Sequence, residues 1–415
     1  MSKNKTFHIV CWIFVVAFLL ITVFPFFWIL NSSFKPESEI FGANCYRIIA
    51  ENPTMENYKV VIFEKGKLLH TLLPTGGGRC NLAHAEFDFK ELAKHYPRGE
   101  KFLYSIFAQF STAETLEMFD KIGIKTYIQN DNRIFPISNS SKDVQNKIIN
   151  QITSAKIINE KVTKIIPKTK GFEIITDTKK YFFYKVIISI GGHSGSEILK
   201  DLDIKFIPQK PALVGLNIVN PPQNLSGVII KNCVCENLHG DILFTHFGIS
   251  GPLIYKISSI NAYKTYPYKL KIDLCPNLEN LQDILNNNPH KEIKNVLTEF
   301  IPQKIAYEIL KKLKIEKSLK SHSINGKMRD MILENIHSFE VLVTGTNKGE
   351  ETVTAGGIDL KEINPKNMEF KKYNNLYALG EILDIDGDCG GFNLQNAWST
   401  AFVCANAILN EKENQ

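Results

Sequence analysis

This sequence lacks several things that a chain of its length often carries. No G-x-G-x-x-G stands in the window ahead of Glu64, where only Gly42 remains. After residue 30 there is no second long apolar run, which excludes a complete multi-span transporter. Lys and Arg are scattered through a net charge of +6 with no basic block, so nucleic acid is not an expected partner. The 8 cysteines follow no framework spacing, which excludes a disulfide scaffold and reads as reduced thiols. Cys233 and Cys235 form a C-x-C, but no second pair or nearby His completes a zinc site. Asp384, Asp386 and Asp388 alternate as in a calcium loop without the terminal glutamate of an EF-hand, so no metal is expected. No Ser-His-Asp order points to a hydrolase, and Ser250 in GISGP is not a G-x-S-x-G elbow.

What is present begins with Ile9 to Leu30, an uncharged apolar run long enough to span a bilayer, which needs about 20 residues. Lys3 and Lys5 precede it and Glu37 and Glu39 follow, a bias that keeps Met1 inside. Met1 to about Phe63 resembles the start of an inner-membrane permease subunit of sugar-transporting ABC importers. The words that carry this are FPFFWILNSSFKPESEI (Phe24–Ile40) and NPTMENYKVVIF (Asn52–Phe63).

The pattern then changes. Tyr58 to Glu64 reads as a buried strand ending in an acid. Ser111 and Glu114 form a capping box that opens a helix with Leu116, Phe119 and Ile122 on one face. A second helix is expected from Ser141 to about Thr153. A hairpin then feeds a buried strand, Val186 to Ile190, that stops at Gly191-Gly192. Lys205 to Cys275 is rich in short strands and turns and reads as a barrel or sandwich. Asn277 to about Asn335 is helical and polar. A long helix closes the chain from about Asn393 to Asn410, with Ala397, Ala401, Phe402 and Ala405 on the expected packing face.

Two glycine-bearing turns and a few side chains are candidates for ligand contact. Gly76-Gly77-Gly78 can present backbone N–H groups as an anion nest, and Arg79 adds charge-assisted donors. A tight turn rich in glycine is the plain alternative. Glu64 lies twelve residues earlier, and an acid at a strand end can accept from a ribose diol or merely face water. Gly390-Gly391 precede the last helix, whose unpaired N–H groups and dipole favour an electron-rich group. His246 and His193 are candidates for proton transfer, although such residues more often tie down a loop.

From Val60 to about Leu409 the chain resembles the bacterial BaiN-type, aminoacetone-oxidase-like NAD(P)/FAD-dependent flavoproteins. The motifs are VIFEKGK, LLPTGGGRCNL, NRIFPIS, IISIGGHSG, FTHFGISGP, TAGGIDLKEI and LYALGEILDIDGDCGGFNLQNAWSTA. The resemblance implies an α/β fold: a Rossmann-like FAD domain (41–204 and 351–412) interrupted by a β-barrel-like domain (205–275 and 336–350) and a small helical domain (276–335). The membrane-spanning segment occupies 1–40. Glu64 is then expected at the adenosine ribose. Gly76, Gly77, Gly78, Arg79, Cys80 and Asn81 line the pyrophosphate and flavin. Gly191 and Gly192 close the adenine side, and Gly380, Glu381 and Asp384 face the ribityl chain and phosphates. Gly390, Gly391, Asn393 and Leu394 set the last helix against the flavin ring, and His246 faces the substrate side.

The expected activity is an FAD-dependent oxidoreductase that moves electrons between NAD(P)H, flavin and a small organic substrate or oxygen, with a cytoplasmic body. The family should open with a strand and a G-x-G-x-x-G turn about 20 to 30 residues before the acid. Ala43 and Cys45 are the nearest relics of it. The alternative is an inactive or chimeric flavoprotein fold carried on a permease-derived inner-membrane anchor.

Overall fold

A computed structural model describes residues 60–153, 155–192, 197–347, 349 and 353–413. The expected membrane span Ile9–Leu30, the fingerprint relics Gly42, Ala43 and Cys45, and His193 lie outside these residues. No helix among the described residues is long and apolar enough to cross a membrane. The described chain forms two compact units, 60–68 with 149–161, and the remainder.

In the smaller unit, β1 (Val60–Phe63) pairs in parallel with β2 (Ala155–Ile158). The Glu64 N–H extends the ladder by donating to the Ile158 carbonyl at 3.1 Å. The sequence reads β1 as buried, but Val60 is 52% exposed and Ile157 47%. A strand becomes fully buried only when it has neighbours on both edges and both faces. Among the described residues β1 pairs with β2 alone.

In the larger unit a second parallel pair joins β3 (Val186–Ile188) to β4 (Leu376–Ala378). The Leu379 N–H continues it to the Ile188 carbonyl at 3.0 Å. The expected hairpin appears as the antiparallel strands Val162–Lys168, Gly171–Thr176 and Lys180–Phe183. The turn-rich middle forms a six-stranded antiparallel sheet. Its order is Ile229–Cys235, Leu238–Phe244, Gly248–Ser250, Leu216–Ile218, Phe339–Thr346 and Tyr268–Ile272. Val234 and Asp273 exchange backbone hydrogen bonds at 2.9 and 2.8 Å, which joins the two edge strands and closes the sheet on itself. The helices between Leu281 and His337 share one continuous core with this sheet through Leu281, Val296, Ile305, Ile309 and Ile332.

Two helices shape the glycine-bearing region. α1 (Thr112–Lys121) starts at the capping box, where the Ser111 N–H donates to Glu114 Oε2 at 2.8 Å. Phe119 is fully buried, whereas Leu116 and Ile122 are only half-buried. The helix from Ser141 ends at Ile149, before the expected Thr153. α2 (Phe392–Glu413) is the terminal helix, and its buried face differs from the expected one. Phe402 is 39% exposed and Ala405 is exposed, while Gln395, Asn396, Ser399, Thr400, Val403 and Cys404 point inward. Part of this polar inner face is hydrogen-bonded. Gln395 Nε2 donates to Thr115 Oγ1 at 2.8 Å, and Thr400 Oγ1 accepts the Gly380 N–H at 3.0 Å. Hydrophobic periodicity cannot see a face that buries polar side chains.

Ser111→Ala removes the side-chain half of the cap. It should destabilise the protein by about 1 kcal/mol, read as a lower urea midpoint at an unchanged m-value.

Candidate functional site: converging glycine turns

The loop TGGGRCNL is a short 3-10 turn, Thr75–Gly78, in which Gly76, Gly77 and Gly78 have φ of 57°, 67° and 83°. A side chain is strained at all three. The three differ in surroundings. A Cβ at Gly76 would lie 2.7 Å from the Asn81 nitrogen and 2.9 Å from the Phe135 ring, so Gly76 is needed for packing. Among the described residues a Cβ at Gly77 or Gly78 would meet nothing within 4 Å, so these two present bare backbone there. The Arg79 guanidinium lies 4.1 Å from the centre of the Phe135 ring. Phe135 comes from NRIFPIS, on the strand Arg133–Pro136, which pairs with Ala83–His84.

Cys80 is fully buried, and its N–H donates to the Thr75 carbonyl at 3.0 Å. Burial pushes its thiol up to about 11, partly opposed by a hydrogen bond with Thr75, so it is not a nucleophile. Asn81 is 8% exposed, and among the described residues its Oδ1 has no hydrogen-bond partner.

The turn before α2 meets this loop from behind. A Cβ at Gly391, where φ is 103°, would fall 2.4 Å from the Ala83 carbonyl oxygen. His84 Nδ1 donates to the Gly390 carbonyl at 3.1 Å, and Trp398 Nε1 donates to the Leu82 carbonyl at 3.0 Å. Leu394 packs beside Cys80 and Leu82. Asn393 shapes the turn by accepting the Gly387 N–H at 2.9 Å and donating to the Gly387 carbonyl at 3.0 Å. The glycine turn before α2 is thus held against the strand that follows TGGGRCNL, some 300 residues earlier in the chain.

The carboxyl ends of β3 and β4 form a third element. Gly191 and Gly192 follow β3, and Gly380 and Glu381 follow β4. A Cβ at Gly192 would lie 2.4 Å from Thr354 Oγ1 and 3.0 Å from Glu381 Oε1, whereas one at Gly191 would meet nothing within 4 Å among the described residues. Glu381 Oε1 accepts the Thr354 N–H at 3.0 Å, and Asp384 Oδ1 accepts the Gly356 N–H at 3.1 Å. Both carboxylates, expected to face a ligand, thus bond the protein's own backbone. Burial raises the Asp384 pKa, against the pull of Arg98.

Three side chains went unread in the sequence. Arg98 donates from Nη1 to the Ser259 carbonyl and from Nη2 to Ser259 Oγ, both at 3.0 Å, and pairs with Asp386, which is fully buried. It fastens the DIDGD loop from below. His84 and His95 flank Phe392, and no spacing rule links them to a turn so far along the chain.

Two candidates remain. Glu64 belongs to the smaller unit, where its Oε1 accepts the Gly66 N–H at 2.9 Å. His246 is exposed and lines a cavity of about 370 Å³ with Ser226, Thr245, Phe247 and Ser250 on the six-stranded sheet.

The family model for the HI0933-like protein Rossmann domain matches residues 47–407. The match therefore includes 47–63, which were read above as permease-like, and the comparisons lend the permease resemblance no support. The chain is 26% identical to a ribosomal RNA dihydrouridine synthase of Escherichia coli (strain K12), over 86% of this chain and 93% of that protein. It is 25% identical to a 3-dehydro-bile acid delta(4,6)-reductase of Clostridium scindens, over 84% and 91%. Among solved structures, a quinol-fumarate reductase overlaps 84% of this chain and 66% of its own at a TM-score of 0.40 and 11% identity.

Two outcomes test this geometry. Gly391→Ala forces the paired turns apart and should cost about 1–3 kcal/mol, measured by chemical denaturation. Burial pushes the thiols of Cys233 and Cys404 up to about 12 and that of Cys235 to about 11. With Cys80, they should resist iodoacetamide at pH 8 in the folded protein and react in urea, as mapped by mass spectrometry.

Proposed function

The chain belongs to the HI0933-like Rossmann-domain family, and from that premise we propose that it is an FAD-dependent oxidoreductase. The observation that carries the reading is the contact of Gly391 with Ala83, which ties the turn before α2 to the strand that follows the loop of Gly77 and Gly78. The residues present fit such a cofactor. Gly77 and Gly78 leave a space that any side chain would enter, and among the described residues the buried Asn81 Oδ1 and Thr354 Oγ1 have no hydrogen-bond partner.

In this reading the bare backbone at Gly77 and Gly78, with Arg79, holds the pyrophosphate by directed N–H groups and charge. Gly191 keeps the carboxyl end of β3 open, where ligands bind in parallel α/β folds. Gly390, Gly391, Asn393 and Leu394 aim the amino end of α2 at the ring, where its dipole favours added negative charge. Glu64 is assigned to the ribose diol. When bound, FAD supplies hydride and electron transfer, which no side chain of this protein can perform.

NAD(P)H is the proposed donor and a small unsaturated organic compound or oxygen the acceptor. Two relatives are named for making dihydrouridine and for reducing a bile acid, and both names describe reductions. The His246 cavity is assigned to the acceptor side.

Purified protein should show a flavin absorbance spectrum, with FAD released on denaturation. Gly78→Val should weaken FAD binding at least tenfold while leaving the far-UV circular dichroism unchanged. Colourless protein that gains no thermal stability from added FAD would instead establish the inactive, cofactor-free alternative. NADH or NADPH oxidation, followed with a conjugated enone and separately with unmodified ribosomal RNA, identifies the acceptor class.

A further inference from the structure

Beside the paired glycine turns lies a cluster that cofactor holding does not use. Phe392, the first residue of α2, stacks against His95 with ring centres 4.3 Å apart and against His84 at 4.5 Å. His95 Nδ1 donates to Asp388 Oδ2 at 3.0 Å, and Lys256 Nζ reaches the same oxygen at 3.2 Å. Burial works to raise the Asp388 pKa, but the His95 hydrogen bond and Lys256 hold it below the ordinary carboxylate range. The charged and titratable groups facing the His95 ring are Asp388 from the turn before α2, Lys256 from the helix Pro252–Ile260, and His84 from the strand Ala83–His84.

The two imidazoles differ in what they face. A carbonyl only accepts, so the Gly390 oxygen fixes the hydrogen of His84 on Nδ1, and burial lowers the His84 pKa, keeping that ring neutral. A carboxylate accepts the same N–H from a neutral or a charged ring, so Asp388 supports both states of His95. Among the described residues Nε2 of His95 has no hydrogen-bond partner, and its side chain is 35% exposed. One ring is therefore pinned, and the other can exchange a proton with solvent beside the amino end of α2.

We propose that His95, oriented by Asp388, is the proton-holding group of this centre, charging when an electron pair enters and discharging when the pair leaves. The proposal rests on the flavin reading. The balance is explicit: two-electron reduction draws two protons from solvent, one following the pair to the ring and one going to His95 Nε2. Reoxidation returns both. Holding the second proton on the protein offsets the negative charge gained nearby, as an adjacent cation should.

The test is the midpoint potential of the FAD-loaded protein between pH 6 and pH 8, measured against reference dyes. His95→Asn should bind one proton fewer per electron pair. Its potential should then fall less steeply with pH by about 30 mV per unit, the equivalent of a tenfold change for a two-electron couple. Asp388→Asn leaves the ring in place and should flatten the slope in the same direction. If both variants keep their flavin and the wild-type slope, His95 does not hold the proton and the inference fails. If His95→Asn loses flavin, Asp388→Asn alone decides between the two outcomes. A colourless wild-type protein overturns the flavin reading, and this inference with it.

Discussion

The site depends on one close approach, the Gly391 backbone against the Ala83 carbonyl. A Cβ at Gly391 would stand 2.4 Å from that oxygen, so the contact exists only because the side chain is missing. What rests on it is the register between the loop TGGGRCNL and α2. Trp398 holding the Leu82 carbonyl and His84 holding the Gly390 carbonyl fix that register at either side. Backbone contacts suit this purpose because main-chain atoms have no rotamers to lose, so a turn fixed in this way keeps its N–H groups aimed.

The second constraint is the polar face of α2. Helices usually bury aliphatic surface, and this one buries Gln395, Asn396, Ser399 and Thr400. Gln395 donates to Thr115 on α1 and to Ser399, and Thr400 accepts the Gly380 N–H after β4. Hydrogen bonds are directional, so they set the rotation of the helix more sharply than apolar packing does. That rotation places Phe392, and with it the stacked His84 and His95. Arg98 has a related role in the DIDGD loop. Its acids resemble ligands in the sequence, yet Asp386 is held by Arg98 and Ser259, and Asp388 by His95 and Lys256.

The β-rich half is built differently. One apolar core runs from the six-stranded sheet into the helices between Leu281 and His337, and the sheet closes through Val234 and Asp273. His246 sits on the turn between two adjacent strands of that sheet, Leu238–Phe244 and Gly248–Ser250.

Several features were legible in the residues alone because their causes are local. Consecutive glycines permit backbone conformations closed to other residues, a Ser-x-x-Glu caps its own helix, and the strand expected over Val186–Ile190 before Gly191-Gly192 is present as Val186–Ile188. The long ordered motifs pointed to a flavoprotein family, and the family match over 47–407 agrees in placing the chain among Rossmann-domain proteins. Other features required the tertiary structure because their partners are distant. The sequence could not show that Gly391 meets Ala83, that α2 turns its polar side inward, or that Glu381 and Asp384 bond to backbone. Nor could it show that His84 and His95 meet at Phe392. Local chemistry fixes what each turn is able to do. Which turns do it together is decided by contacts between residues some 300 positions apart, and no periodicity or spacing encodes those.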